Sequence, residues 1–225
     1  MKKNILTIII LTICVCCNAQ STKTKYYKDE NLSKEVLQDK AKFSESFIQN
    51  DDGTITTEIK NLKSNEIINS QTYKENEPVG VWVYQTGFLG TAKLDYNFNV
   101  KYSDEKCDDS ISNIRIDDYF QDNEGVGYKA PKISSGETTF IEFLVKNLVY
   151  PSRAKEQGIQ GKVNLMFTIT KTGNIENIIV TKGTNLYLDK EAVRLIRLLN
   201  FSNPPTLNGQ PHSFCVTKTI SFTLG

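Results

Sequence analysis

Residue types able to act as nucleophile, base or metal ligand are few in this chain, and their spacing excludes most chemistry. The single histidine, His212, lies three residues before Cys215. A thiol beside an imidazole is a minimal nucleophile–base pair. On an extended strand, however, residues three apart project from opposite faces, so His212 is not placed to activate that thiol. Pro211 beside it marks a loop. Cys107 is remote in sequence, and Cys14, Cys16 and Cys17 crowd the N-terminus, so no Cys/His cluster has the spacing of a metal site. Asp104-Glu105, Asp108-Asp109 and Asp117-Asp118 are paired carboxylates, which could serve acid/base work or hold calcium. They lack the alternating Asp spacing of a calcium loop and read as solvated charges. There is no Gly-x-Ser-x-Gly elbow and no phosphate-binding glycine loop. The expectation is a non-enzymatic protein with no catalytic, cofactor or metal residues.

The elements that carry these residues are clearest from Thr138 onward. Thr138 or Thr139 can cap a helix whose apolar positions are Phe140, Phe143, Leu144 and Leu148. Tyr150-Pro151 stops it, because a residue before proline avoids helical backbone. Pro151 opens a second short turn that Gly158 ends. Val163, Leu165, Phe167 and Ile169 alternate with Lys162, Asn164, Met166 and Thr168, which predicts a strand with one dry face. Lys171-Thr172-Gly173-Asn174 predicts a tight turn into a returning strand, Ile175 to Thr181. Leu188, Ala192, Leu195, Ile196 and Leu199 form a helix stripe, with Asp189 and Glu191 at its positive end and Arg194 and Arg197 on the opposite side. Asn203-Pro204-Pro205 ends that helix. In the last strand, Phe214, Val216, Ile220, Phe222 and Leu224 alternate with Ser213, Cys215, Thr217, Thr219, Ser221 and Thr223, and Lys218 is the one charge on the apolar side. The order is α-β-β-α-β, an α+β fold in which helices pack a small antiparallel sheet. In an all-antiparallel arrangement the third strand pairs with the first and lies at an edge, reached by a right-handed crossover; geometry alone also permits pairing beside the second strand.

The rest of the chain is organised more loosely. Lys2 and Lys3 precede an apolar run, Ile5 to Cys17, followed by the small residue Ala19. That is the pattern of a secretory signal peptide over residues 1–20, with lipoprotein processing at Cys16 or Cys17 or a retained anchor as the alternatives. Its thirteen apolar-run residues reach roughly 20 Å as a helix, short of the ~30 Å hydrocarbon core. Removal leaves Cys107 and Cys215, which in an oxidising compartment either pair or remain separate thiols. Residues 21–100 read as short strands with turns at Asp51-Asp52-Gly53, Asn76-Glu77 and Thr86-Gly87. Residues 101–136, rich in Asp, Asn and Ser, read as a linker, and 137–225 as the second folded unit. Basic and acidic residues nearly cancel, 27 against 26, which argues against nucleic acid as a partner.

Two resemblances follow from these residues. Gly80, Trp82 and Tyr84 form a Gly-x-Trp-x-Tyr element, with Tyr26, Tyr27 and Tyr73 before it, that resembles MORN-like β repeats. Tyr150-Pro151, Ala154, Gly158, Gly161, Val163, Phe167, Gly173, Leu188-Asp189, Ala192, Phe201 and Pro204 follow one another at the spacing of TonB C-terminal domains. That resemblance implies an envelope protein, periplasmic or associated with the outer membrane. It implies docking of a peptide segment from a TonB-dependent outer-membrane transporter, added as a strand beside the last strand. The positions that would carry docking are Ser213, Cys215, Val216, Thr217, Lys218, Thr219, Ile220 and Ser221. Lys218 either blunts this edge against adventitious pairing or sits on an edge left open for a partner. The chain departs from a full TonB in lacking a proline-rich spacer, with six prolines in all. Two other expectations stay open: an inner-membrane-anchored energy transducer, and a surface scaffold working through the MORN-like half.

Overall fold

The computed structural model describes residues 21–75, 77–86, 90–107 and 119–224. The expected signal segment, parts of the turns at Asn76 and Gly87, and the pairs Asp108-Asp109 and Asp117-Asp118 lie outside them. The first half is an antiparallel meander in sequential order: β1 (Thr22–Tyr27), β2 (Phe43–Gln49), β3 (Ile55–Asn61), β4 (Ile67–Lys74), β5 (Glu77–Thr86) and β6 (Gly90–Asp95). The Asp52-Gly53 turn forms as expected, with Gly53 at φ +79° and the Thr54 amide donating to the Asp52 carboxylate at 3.0 Å. Trp82 is buried, and its indole N–H donates to the carbonyls of Thr72 and Val79. Its ring packs on Tyr73 and Tyr96, so it is a core residue.

The second half begins with two-residue strands β7 (Tyr128–Lys129) and β8 (Lys132–Ile133), then helices α1 (Phe140–Asn147) and α2 (Ser152–Glu156). Strands β9 (Gly161–Ile169) and β10 (Ile175–Lys182), helix α3 (Leu186–Leu198), short strands β11 (Phe201–Asn203), β12 (Thr206–Leu207) and β13 (Gln210–Pro211), and β14 (Phe214–Phe222) complete it. Thr139 caps α1, accepting from the Glu142 amide, because a hydroxyl there satisfies an orphan helix N–H. Gly173, at φ +83°, turns β9 into β10 where a side chain would be strained. The sheet order is β10-β9-β14 and both pairings are antiparallel, so of the two placements open to the last strand it takes the one beside the first strand of the domain.

Val163, Leu165, Phe167 and Ile169 are buried under the helices. Burial of each such side chain contributes about 1.5–3 kcal/mol. Met166, expected on the wet face, is buried too, as is Ile179 of β10. The opposite face of the sheet is therefore partly covered. The described parts of this stretch, 101–107 and 119–136, supply much more than a solvated connection. Phe120, Tyr128 and Ile133 join the core, and Phe120 stacks on Phe140 at 4.8 Å between centroids. Lys101 and Ser103 bond the backbone of Val180, laying this stretch along the outer side of β10.

Helix α3 is where the halves meet. Its stripe of Leu188, Ala192, Leu195 and Ile196 is buried as expected. Arg194, placed by periodicity on the solvent side, is buried as well, and so are Asp189, Lys190 and Glu191. The reason is that β4–β6 and Tyr96 cover that side. Tyr73, Trp82, Leu94 and Tyr96 belong to the same apolar cluster as Tyr187 and Val193.

Candidate functional site

The expected docking strand, β14, is the outermost strand of its sheet. It pairs with β9 in unbroken register from Phe214↔Ile169 to Phe222↔Gly161. Among the described residues, no strand pairs with its other side. Phe214, Val216, Ile220 and Phe222 are buried and fix the strand to the core. Of the eight expected contact residues, Val216 and Ile220 thus offer only their backbone. Thr217, Thr219 and Ser221 are exposed on the outer face, where the Thr219 hydroxyl donates to the Asn164 side chain at 3.0 Å. Ser213 precedes the strand, and its hydroxyl accepts from the Lys171 amide at 2.8 Å. Lys218 points to the helix side, its ammonium 5.0 Å from the Phe120 ring centroid and 5.7 Å from that of Phe140. A cation over two aromatic faces is stabilised there by their quadrupoles, which explains one charge in an apolar row.

Cys215 does not present a thiol. It forms a disulfide with Cys107, across a sequence separation of 108 residues, where two separate thiols were the plainer expectation. No local pattern encodes their separation; the fold brings the Cα atoms to 5.5 Å. His212 packs its ring 5.2 Å from that of Phe214, and its amide donates to Pro205. Among the described residues no group of His, Cys, Asp and Glu could hold a metal ion, and no helix is long and apolar enough to cross a membrane.

A polar network that periodicity did not reveal lies behind the strand, on α3. The Glu191 carboxylate accepts from Arg194 through two nitrogens at 2.7 Å each, from the Tyr96 hydroxyl at 2.6 Å and from the Val149 amide at 2.8 Å. Burial opposes the Arg194 charge, but the bonds from Glu191 outweigh it and hold its pKa above the ordinary value. Burial, reinforced by Glu191, pushes the Tyr96 hydroxyl well up. Lys190 bonds Glu77 and the Pro78 carbonyl at 2.6 Å each. Asp189 accepts from the Thr184 amide and from the Tyr102 hydroxyl, whose pKa is raised by burial and then by that carboxylate. These groups are matched and structural. An i,i+3 pair such as Glu191/Arg194 signals only a helix surface until the covering element is known.

The geometry is that of a small three-stranded α+β module with an outermost strand. Residues 146–224 match the family of the Gram-negative bacterial TonB protein C-terminal, so the similarity falls on the second half of the chain. Proteins named Protein TonB from two strains of Xanthomonas campestris pv. campestris are 36% identical to this chain over 76 residues. That segment is 33% of this chain and 34% of each relative, so the likeness spans about a third of the length of these curated relatives.

Proposed function

We propose that this protein works in the Gram-negative envelope by capturing an extended peptide segment of a partner beside β14. The partner is a TonB-dependent outer-membrane transporter, and the association serves transmembrane transport. The observation that carries this reading is the position of β14: a nine-residue strand, fully paired on one side and outermost in its sheet, within the part of the chain that matches the TonB C-terminal family. Outward backbone donors and acceptors of such a strand supply affinity, and the side chains of Thr217, Thr219 and Ser221 supply selectivity. The buried β14 row and the cation seated on Phe120 and Phe140 anchor the strand to the core and leave its outer edge to a partner.

Proline scanning tests it. Consecutive residues of an antiparallel strand direct their N–H groups to opposite sides. Of Thr217→Pro and Lys218→Pro, one therefore removes a donor to β9 and the other an outward donor. The outward variant is expected to stay folded and to lose crosslinking to the envelope partner. The inward variant is expected to lose stability as well. If both variants fold and both crosslink like the parent, β14 is not the docking strand. Export is part of the same reading: the envelope-fraction protein is expected to begin near Gln20 or Ser21, checked by intact mass. A chain that still starts at Met1 points instead to the anchored transducer.

A further inference from the structure

We infer that the Cys107–Cys215 disulfide is a thiol–disulfide exchange site whose reduction releases the segment 101–107 from the sheet. The co-reactant is a dithiol. Both cysteines are only half-buried, and they border an open cleft of about 560 Å³ between the segment and the outer face of the sheet. Lys106 and Lys182 line that cleft with Asp104 and Glu105, so its charges balance and an incoming thiolate meets no excess of negative charge. The attacking thiolate bonds one sulfur and displaces the other as a thiolate. The second thiol of the reductant then resolves the mixed disulfide. Cys107 and Cys215 end as two thiols, having gained two electrons and two protons, and the reductant ends as a disulfide.

The consequence follows from what else holds the segment. No residue from Lys101 to Cys107 is buried. Lys101 accepts from the Val180 amide at 2.8 Å, and the Ser103 amide donates back to Val180 at 3.3 Å. Tyr102, half of whose surface is exposed, reaches Asp189 at 3.0 Å. Three hydrogen bonds of modest net worth do not offset the backbone entropy of ordering seven residues without the tether. β14 differs: four buried side chains and the whole β9 register hold it after the bond is cut. The bond therefore fastens the segment that covers the outer side of β10, and leaves the folding of the domain to its core.

Native-state reduction tests this on the full mature chain. Millimolar dithiothreitol without denaturant is expected to make both cysteines accessible to iodoacetamide, read by mass. Hydrogen exchange at the Val180 amide is then expected to rise roughly tenfold or more, while amides of the β9–β14 ladder stay protected. Cys107→Ser is expected to give the same Val180 signature with no reductant. Cysteines that resist dithiothreitol, or a Val180 amide unchanged after reduction, overturn the inference. So does loss of protection throughout β9 in Cys107→Ser, because the bond would then hold the domain and not the segment. None of these readouts involves partner docking, so they stand or fall apart from the β14 reading.

Discussion

The Glu191 side chain is fully enclosed and surrounded by donors from three different parts of the chain: Tyr96, Val149 and Arg194. Replacing it by Leu would strand a buried guanidinium and a buried amide together. Breaking one side of a buried pair costs about 3–5 kcal/mol. Glu191→Leu is expected to lower stability by that amount, read from the midpoint of urea unfolding. Glu137 behaves differently. Donation from Lys146 at 2.6 Å, and then from Ser135, holds its carboxyl down to about 2 from 4.5. A depressed carboxyl stabilises the fold above its unfolded value and loses that contribution as pH falls through its folded value. The thermal midpoints of the parent and Glu137→Gln are thus expected to differ by a constant amount above about pH 4.5 and to converge toward pH 2. The difference is small, because Lys146 remains half-exposed. Asp189 and Glu191 lie at the helix start as the sequence pattern indicates, but two of their partners, Tyr96 and Tyr102, stand nearly a hundred residues earlier. No local pattern encodes a contact at that separation.

At the scale of elements, the second half was legible because its signals are local. The Thr139 cap, the Tyr150-Pro151 stop, the alternation in β9 and the stripe of α3 each lie within one element and are realised. The crossover order left β14 two places, beside β9 or beside β10, and the antiparallel pairing with β9 is the one realised. Phe167→Ala tests the inward face of β9. Phe167 has no exposed surface, and its truncation is expected to cost about 3–5 kcal/mol in chemical denaturation. Residues 101–136 were less legible. Phe120, Tyr128 and Ile133 are core residues without periodicity, each held by a remote ring or strand. An aromatic residue in a polar stretch has no local sign of what will cover it.

Taken whole, the molecule has one continuous core running from Tyr73 and Trp82 through α3 to Phe222. Lys190 ties Glu77 and Pro78 of β5 to the helix, and Gln71 donates to Ser152 at 2.7 Å. A fragment of residues 136–225 would expose Tyr187, Val193, Lys190 and Arg194 to water, groups that the meander now covers. That fragment is expected to keep helix and strand content by far-ultraviolet circular dichroism but to melt well below the full chain. Equal melting temperatures would show that the meander contributes nothing to the second half.

The continuous register of β14 against β9 contrasts with the β10–β9 ladder, which is interrupted twice. Tension applied along β14 loads all of its rungs in parallel, as shear. Tension applied across the strand would break them one after another, like a zip. A peptide seated alongside β14 and tugged along its length would therefore meet the stiff direction of the sheet. The same geometry would let it be peeled away sideways at far lower force.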